Sequence, residues 1–112
     1  MKQSAEFQLS EETIEAFQRD GAVCVRNLFT PEEVALLETG IEQNLKTPSE
    51  RAKVASRPDD PGWFFEDFCN WGDIAAYRQF IFESRVGSVA AQLMNSETAR
   101  LYHDHLLVKE PN

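Results

Sequence analysis

The sequence predicts an α+β fold, and three observations carry that prediction. Two segments in the first half open with helix caps: Ser10 ahead of Glu11-Glu12, and Thr30 ahead of Pro31-Glu32-Glu33. Runs of β-branched and aromatic residues bounded by Gly, Asn or Pro read as strands. The chain has 112 residues, 42% hydrophobic and 11% aromatic, enough to give a single domain over 1–112 a folded core and too short for a second.

Each element follows in order. Ser10 caps a helix over 11–19, with Leu9 and Ile14 placed as a hydrophobic staple and Asp20-Gly21 as the stop. Residues 22–26 (Ala-Val-Cys-Val-Arg) read as a short buried strand between Gly21 and Asn27. The second helix starts at a capping box, Thr30 with Glu33, has Pro31 at its first position and is stapled by Phe29 on Val34. Val34, Leu37, Ile41 and Leu45 form its apolar stripe, and it ends near Thr47-Pro48. Residues 48–62, rich in Pro and mixed charge, read as a loop. The aromatic cluster from Trp63 to Trp71 is expected to pack on the core. Helices follow over 74–82, with Tyr77, Phe80 and Ile81 on one face, and over 86–94, separated by a break at Glu83-Ser84. Residues 99–109 read as a long strand closed by a turn at Glu110-Pro111-Asn112, which implies further chain beyond it.

Charge narrows the function classes. With 19 acidic and 11 basic residues the net charge is −8, which repels phosphate backbones and anionic lipid and argues against nucleic-acid or membrane partners. No apolar run approaches the roughly 20 residues that span a bilayer, and residues 1–6 lack the apolar segment of a secretory signal, so a cytoplasmic location is expected. Cys24 and Cys69 have no metal-type spacing and sit in apolar stretches, where they read as small buried hydrophobes rather than a disulfide.

His103 and His105 are the first chemistry candidates, because imidazoles two apart on a strand share a face. With Glu110 the stretch echoes the cupin pattern of two histidines and a glutamate. On one continuous strand, however, Glu110 has the opposite parity, and the glycine of that pattern is replaced by Glu97. Two ligands do not make a metal site, so the pair reads as strand histidines facing a polar cavity. Lys109 shares the face of His103, His105 and Leu107. It reads either as an interior ammonium awaiting an anion such as a carboxylate ligand, or as a strand-end lysine reaching solvent. Glu11, Glu12, Glu15, Glu32 and Glu33 occupy early helical turns and read as solvated caps complementing the helix dipole. No catalytic residue is assigned: nucleophile triads, Gly-rich phosphate loops and Cys-x-x-Cys pairs are absent from the sequence.

Two blocks carry a family resemblance. The run Phe17-Gln18-Arg19-Asp20-Gly21-Ala22-Val23-Cys24-Val25-Arg26-Asn27-Leu28-Phe29-Thr30-Pro31-Glu32-Glu33-Val34 resembles the N-terminal signature of phytanoyl-CoA dioxygenase-type proteins. Leu93-Met94-Asn95-Ser96, followed by Arg100-Leu101-Tyr102-His103-Asp104-His105-Leu106-Leu107-Val108-Lys109-Glu110-Pro111, is similar to the strand leading into that family's iron site. The resemblance spans about 8–112. It implies an Fe(II)- and 2-oxoglutarate-dependent hydroxylase of a small molecule, built on a double-stranded β-helix (jelly roll) with helices outside, of which this chain is the N-terminal part. The family's His-x-Asp and distant His are missing, since His105 stands where an Asp would be required after His103. Neither metal nor cofactor is therefore expected on this chain alone, and it is expected to be inactive by itself. Lys109, His103 and His105 carry over as cavity-lining, cofactor-facing residues. The alternative is a stand-alone interaction module that forms homo-oligomers through its last strand.

Overall fold

The computed structural model describes residues 7–111 and is α+β, with helices α1 (Glu11–Asp20), α2 (Pro31–Lys46), α3 (Ala75–Glu83) and α4 (Val86–Leu93). Strands β1 (Lys53–Val54), β2 (Trp63–Phe68) and β3 (His105–Glu110) form an antiparallel sheet in the order β1-β2-β3. The ladder sets Phe68 opposite His105, Glu66 opposite Leu107 and Phe64 opposite Lys109. Lys53 lies opposite Glu66 on the other side of β2.

The helix signals act locally and are found where the sequence places them. The Ser10 hydroxyl accepts from the Thr13 amide, and α1 closes at Gly21, whose φ of 78° no side chain opposes. At α2 the Thr30 hydroxyl accepts from the Glu33 amide at 3.1 Å, while the Glu33 carboxylate accepts from the Thr30 amide at 2.9 Å. Glu33 is not a solvated cap as expected: it is buried, because its carboxylate folds back onto the chain instead of projecting into water.

The expected apolar stripe of α2 is rotated. Val34 and Leu45 are exposed, and the face turned inward carries Leu37, Gly40, Ile41 and Asn44. Tyr77 of α3 causes the rotation, since a Cβ at residue 40 would lie 2.6 Å from its ring. Gly40 thus permits close approach of α2 to α3, offsetting the roughly 1 kcal/mol that glycine costs inside a helix. Phe29, expected to staple on Val34, also contacts α3. Its ring meets Phe80 edge-on at 5.0 Å, joining the entry to α2 to α3.

Three expectations for strands and cysteines are corrected. Residues 22–26 form no strand, because no other described strand lies alongside to satisfy them. Cys24 and Cys69 are both exposed, the first in this unpaired segment and the second at a turn with φ of 62°. The strand expected over 99–109 enters the ladder only at His105 and runs to Glu110. The turn expected at Glu110-Pro111-Asn112 extends into Asn112, outside the described residues. Residues 48–62 are largely loop, as expected, interrupted by β1.

A buried carboxylate ties the layers together. Asp67 of β2 is fully buried and accepts from Asn44 Nδ2 of α2 at 2.9 Å, from the Ser49 amide at 2.8 Å, from the Ser49 hydroxyl and from the Phe68 amide at 2.9 Å. Asn44 Oδ1 in turn accepts from the Tyr77 hydroxyl at 3.0 Å, which brings α3 into the chain. Burial pushes the Asp67 carboxyl up, but the hydrogen bonds from Ser49 and Asn44 outweigh it and hold the group well below the usual carboxylate range. Burial, followed by the negative charges of Asp104 and Asp67, pushes the Tyr77 phenol up to about 12.

Two stability predictions follow from these contacts. Thr30→Ala removes the cap acceptor and should cost about 1 kcal/mol, lowering the melting temperature by roughly 4 to 8 °C, whereas Glu15→Gln on exposed α1 should leave it within error. Equal losses in the two variants would refute the role given to the cap. Because the folded pKa of Asp67 lies below its unfolded value, its stabilisation is present above about pH 4 and is lost as pH falls below that. Asp67→Asn should therefore cost on the order of 1 to 3 kcal/mol at neutral pH. Its gap from the parent in urea midpoint should narrow below about pH 4, and a gap independent of pH would show that the charge is not what stabilises.

Candidate functional site: the open face of the sheet

Alternation along the strands gives the sheet two unlike faces. Trp63, Phe65 and Asp67 of β2 share a side with Leu106 and Val108 of β3, and the helices meet this side, as the Asn44–Asp67 bond shows. Phe64, Glu66 and Phe68, all half-buried, share the other side with His105, Leu107 and Lys109, which are exposed.

The structure brings His103, His105 and Phe68 together on that open side. The two imidazole rings are 5.9 Å apart, and Phe68 lies 6.3 Å from His103 and 5.4 Å from His105. His105 Nε2 stands 3.9 Å from Glu66 Oε2 across the ladder. His103 precedes β3 and is exposed, with Tyr102, itself 93% exposed, edge-on to its ring at 4.9 Å. Lys109 shares the face but stands at the far end of the strand, in a recess of about 460 Å³ lined also by Trp63 and Phe64. It is exposed in this chain, so of the two readings open for it the strand-end lysine describes its surroundings here.

Asp104, which the sequence passes over between two histidines, proves to be structural. Its carboxylate accepts from the Asn70 amide at 3.0 Å through either oxygen and from the Trp71 amide at 3.0 Å, and its backbone oxygen accepts from the Cys69 amide at 3.0 Å. The positive φ of Cys69 turns the following amides toward one point, the geometry of an anion-binding nest, and Asp104 fills it. Arg51 holds the same turn from the other side, donating to the Phe68 and Cys69 carbonyls and to Asn70 Oδ1. Asn70 Nδ2, buried within this turn, has no hydrogen-bond partner.

Among the described residues no three His, Cys, Asp or Glu side chains converge as a metal-ligand group, and the carboxylate nearest in sequence to the histidines is committed to backbone amides. The recess beside Lys109 also carries the carboxylates of Asp60 and Glu110. Ferrous ion added anaerobically should accordingly give a weak or flat calorimetric isotherm. A tight stoichiometric isotherm that vanishes in the His103→Ala, His105→Ala double variant would overturn this assignment.

No helix among the described residues is long and apolar enough to cross a membrane. Comparison with protein-family models, with curated proteins and with solved structures finds no match to this chain, so its functional reading rests on its own residues.

Proposed function

We propose that this chain forms the N-terminal part of an Fe(II)- and 2-oxoglutarate-dependent oxygenase of the phytanoyl-CoA dioxygenase type, acting on a small molecule. Its sheet contributes one wall of a double-stranded β-helix. The observation that supports this is the two-sided sheet: α2 bonds to one face through Asp67, while the other presents half-buried Phe64 and Phe68 with exposed His103, His105 and Lys109. In a β-helix the helix-free face of such a wall looks into the cavity, where an ammonium and imidazoles meet an anionic cofactor or substrate. The iron ligands lie outside this chain on this reading, and the chain has no turnover by itself. The test is the coding sequence after the Asn112 codon. An in-frame His-x-Asp within a few codons, with a distant His after it, is expected; a stop codon directly after Asn112 would sink the reading.

A second reading, a cytoplasmic interaction module that assembles with itself through β3, is favoured by a different observation. β3 is an edge strand, with a single described neighbour in the sheet. Light scattering of the intact chain and of one cut after Ser96 tests it: twice the monomer mass is expected for the first only, and a monomeric intact chain would end it.

A further inference from the structure

The hydrogen-bond parity of the sheet says which backbone groups of β3 are free. Ala55 donates its amide to the Phe64 carbonyl, so the even-numbered residues of β2 turn their backbone groups toward β1. Cys69 donates to the Asp104 carbonyl, so the odd-numbered residues of β2 turn theirs toward β3, where they meet the even-numbered residues. The amides and carbonyls of His105, Leu107 and Lys109 are therefore left pointing off the edge. These same three side chains stand on the open face, and Leu107 is 57% exposed.

We propose that a second copy of this chain pairs antiparallel with this edge about a two-fold axis at Leu107, giving one continuous six-stranded sheet. The inference rests on the reading of β3 as an assembly edge and specifies its register. Parity restricts a symmetric pairing to registers in which odd residues face odd residues. Centring on Leu107 sets Leu107 against Leu107, His105 against Lys109 and Leu106 against Val108, and all six outward backbone groups of each copy find partners. Moving the centre to Val108 sets His105 against Pro111, which has no amide to donate, and loses a bond at each end. Apolar pairs occupy the middle of the Leu107-centred register, and no acidic side chain of one β3 faces another between residues 105 and 109. The two helical layers then lie on one side of the joined sheet, and the two open faces merge on the other.

Cross-linking tests this register on the full chain carrying Cys24→Ser and Cys69→Ser. A hydrogen-bonded antiparallel pair holds its Cα atoms about 5.5 Å apart, within disulfide range. Leu107→Cys should form a disulfide-linked dimer for most of the chain under mild oxidation, while Val108→Cys should form little. Analytical ultracentrifugation of the unsubstituted chain should show the dimer independently of any cysteine. A dimer that cross-links through residue 108 rather than 107 would overturn the register and leave the assembly reading standing. A monomer, or a dimer linked by neither cysteine, would overturn both.

Discussion

The arrangement of this chain depends on keeping Asp67 ionised in the interior. A carboxylate withdrawn from water is tolerated only if its oxygens are supplied with donors, and here the donors come from three separate places: Asn44 on α2, Ser49 in the loop and the amide of Phe68. Meeting that requirement sets where α2 ends relative to β2. It also draws the loop back across the strand, and through Tyr77 and Asn44 it fixes the rotation of α3. The apolar contacts around it, Ile74, Ala76 and Tyr77 with Leu37 and Ile41, are few. The polar chain therefore decides the orientation that the small core would leave loose.

A second carboxylate does the same work just beyond that end of β2. Asp104 collects the amides of the turn after the strand and so joins the approach to β3 to the start of the segment leading into α3. Between Asp67 and Asp104, β2 is held at both its loop side and its β3 side, which keeps Phe64, Glu66 and Phe68 in register with Lys109, Leu107 and His105. The open face is thus a consequence of polar anchoring on the opposite face and at the strand end.

What was legible in the sequence was local. The caps at Ser10 and Thr30, the breaks around Gly21 and Ser84, and the periodicity of α3 and α4 involve residues within a few positions of one another, and they stand as read. Residues 22–26 have strand composition, yet a strand exists only where a partner lies alongside, and composition does not reveal the partner. The exposure of Cys24 and Cys69 follows from the same missing pairing and from a turn that residue type does not announce. Asn44 and Asp67 are 23 residues apart, so their bond could not be read directly. A signal was nevertheless present: Asn44 falls at helical spacing from Leu37 and Ile41, and Asp67 continues the alternation of Trp63 and Phe65. Polar residues on two inward-facing stripes must be matched with each other or with backbone. For the site, shared strand parity correctly grouped His105, Leu107 and Lys109, while the role of Asp104 depended on a turn formed more than thirty residues earlier.

One constraint underlies both functional readings. Three strands with helices on a single side leave the other face without a covering layer, and here that face includes exposed Leu107 beside half-buried Phe64 and Phe68. Among the described residues nine large hydrophobic side chains are exposed against seven buried hydrophobic ones, a balance that favours further burial. A β-helix wall would meet this demand by closing over the face and continuing the edge together. Pairing through β3 alone satisfies the edge while the face stays open, now doubled in width, because a perpendicular two-fold axis keeps the two open faces on the same side. The two solutions therefore differ in which surface is buried. Face closure protects the rings of Phe64 and Phe68, whereas edge pairing protects the amides of His105, Leu107 and Lys109 and leaves those rings accessible.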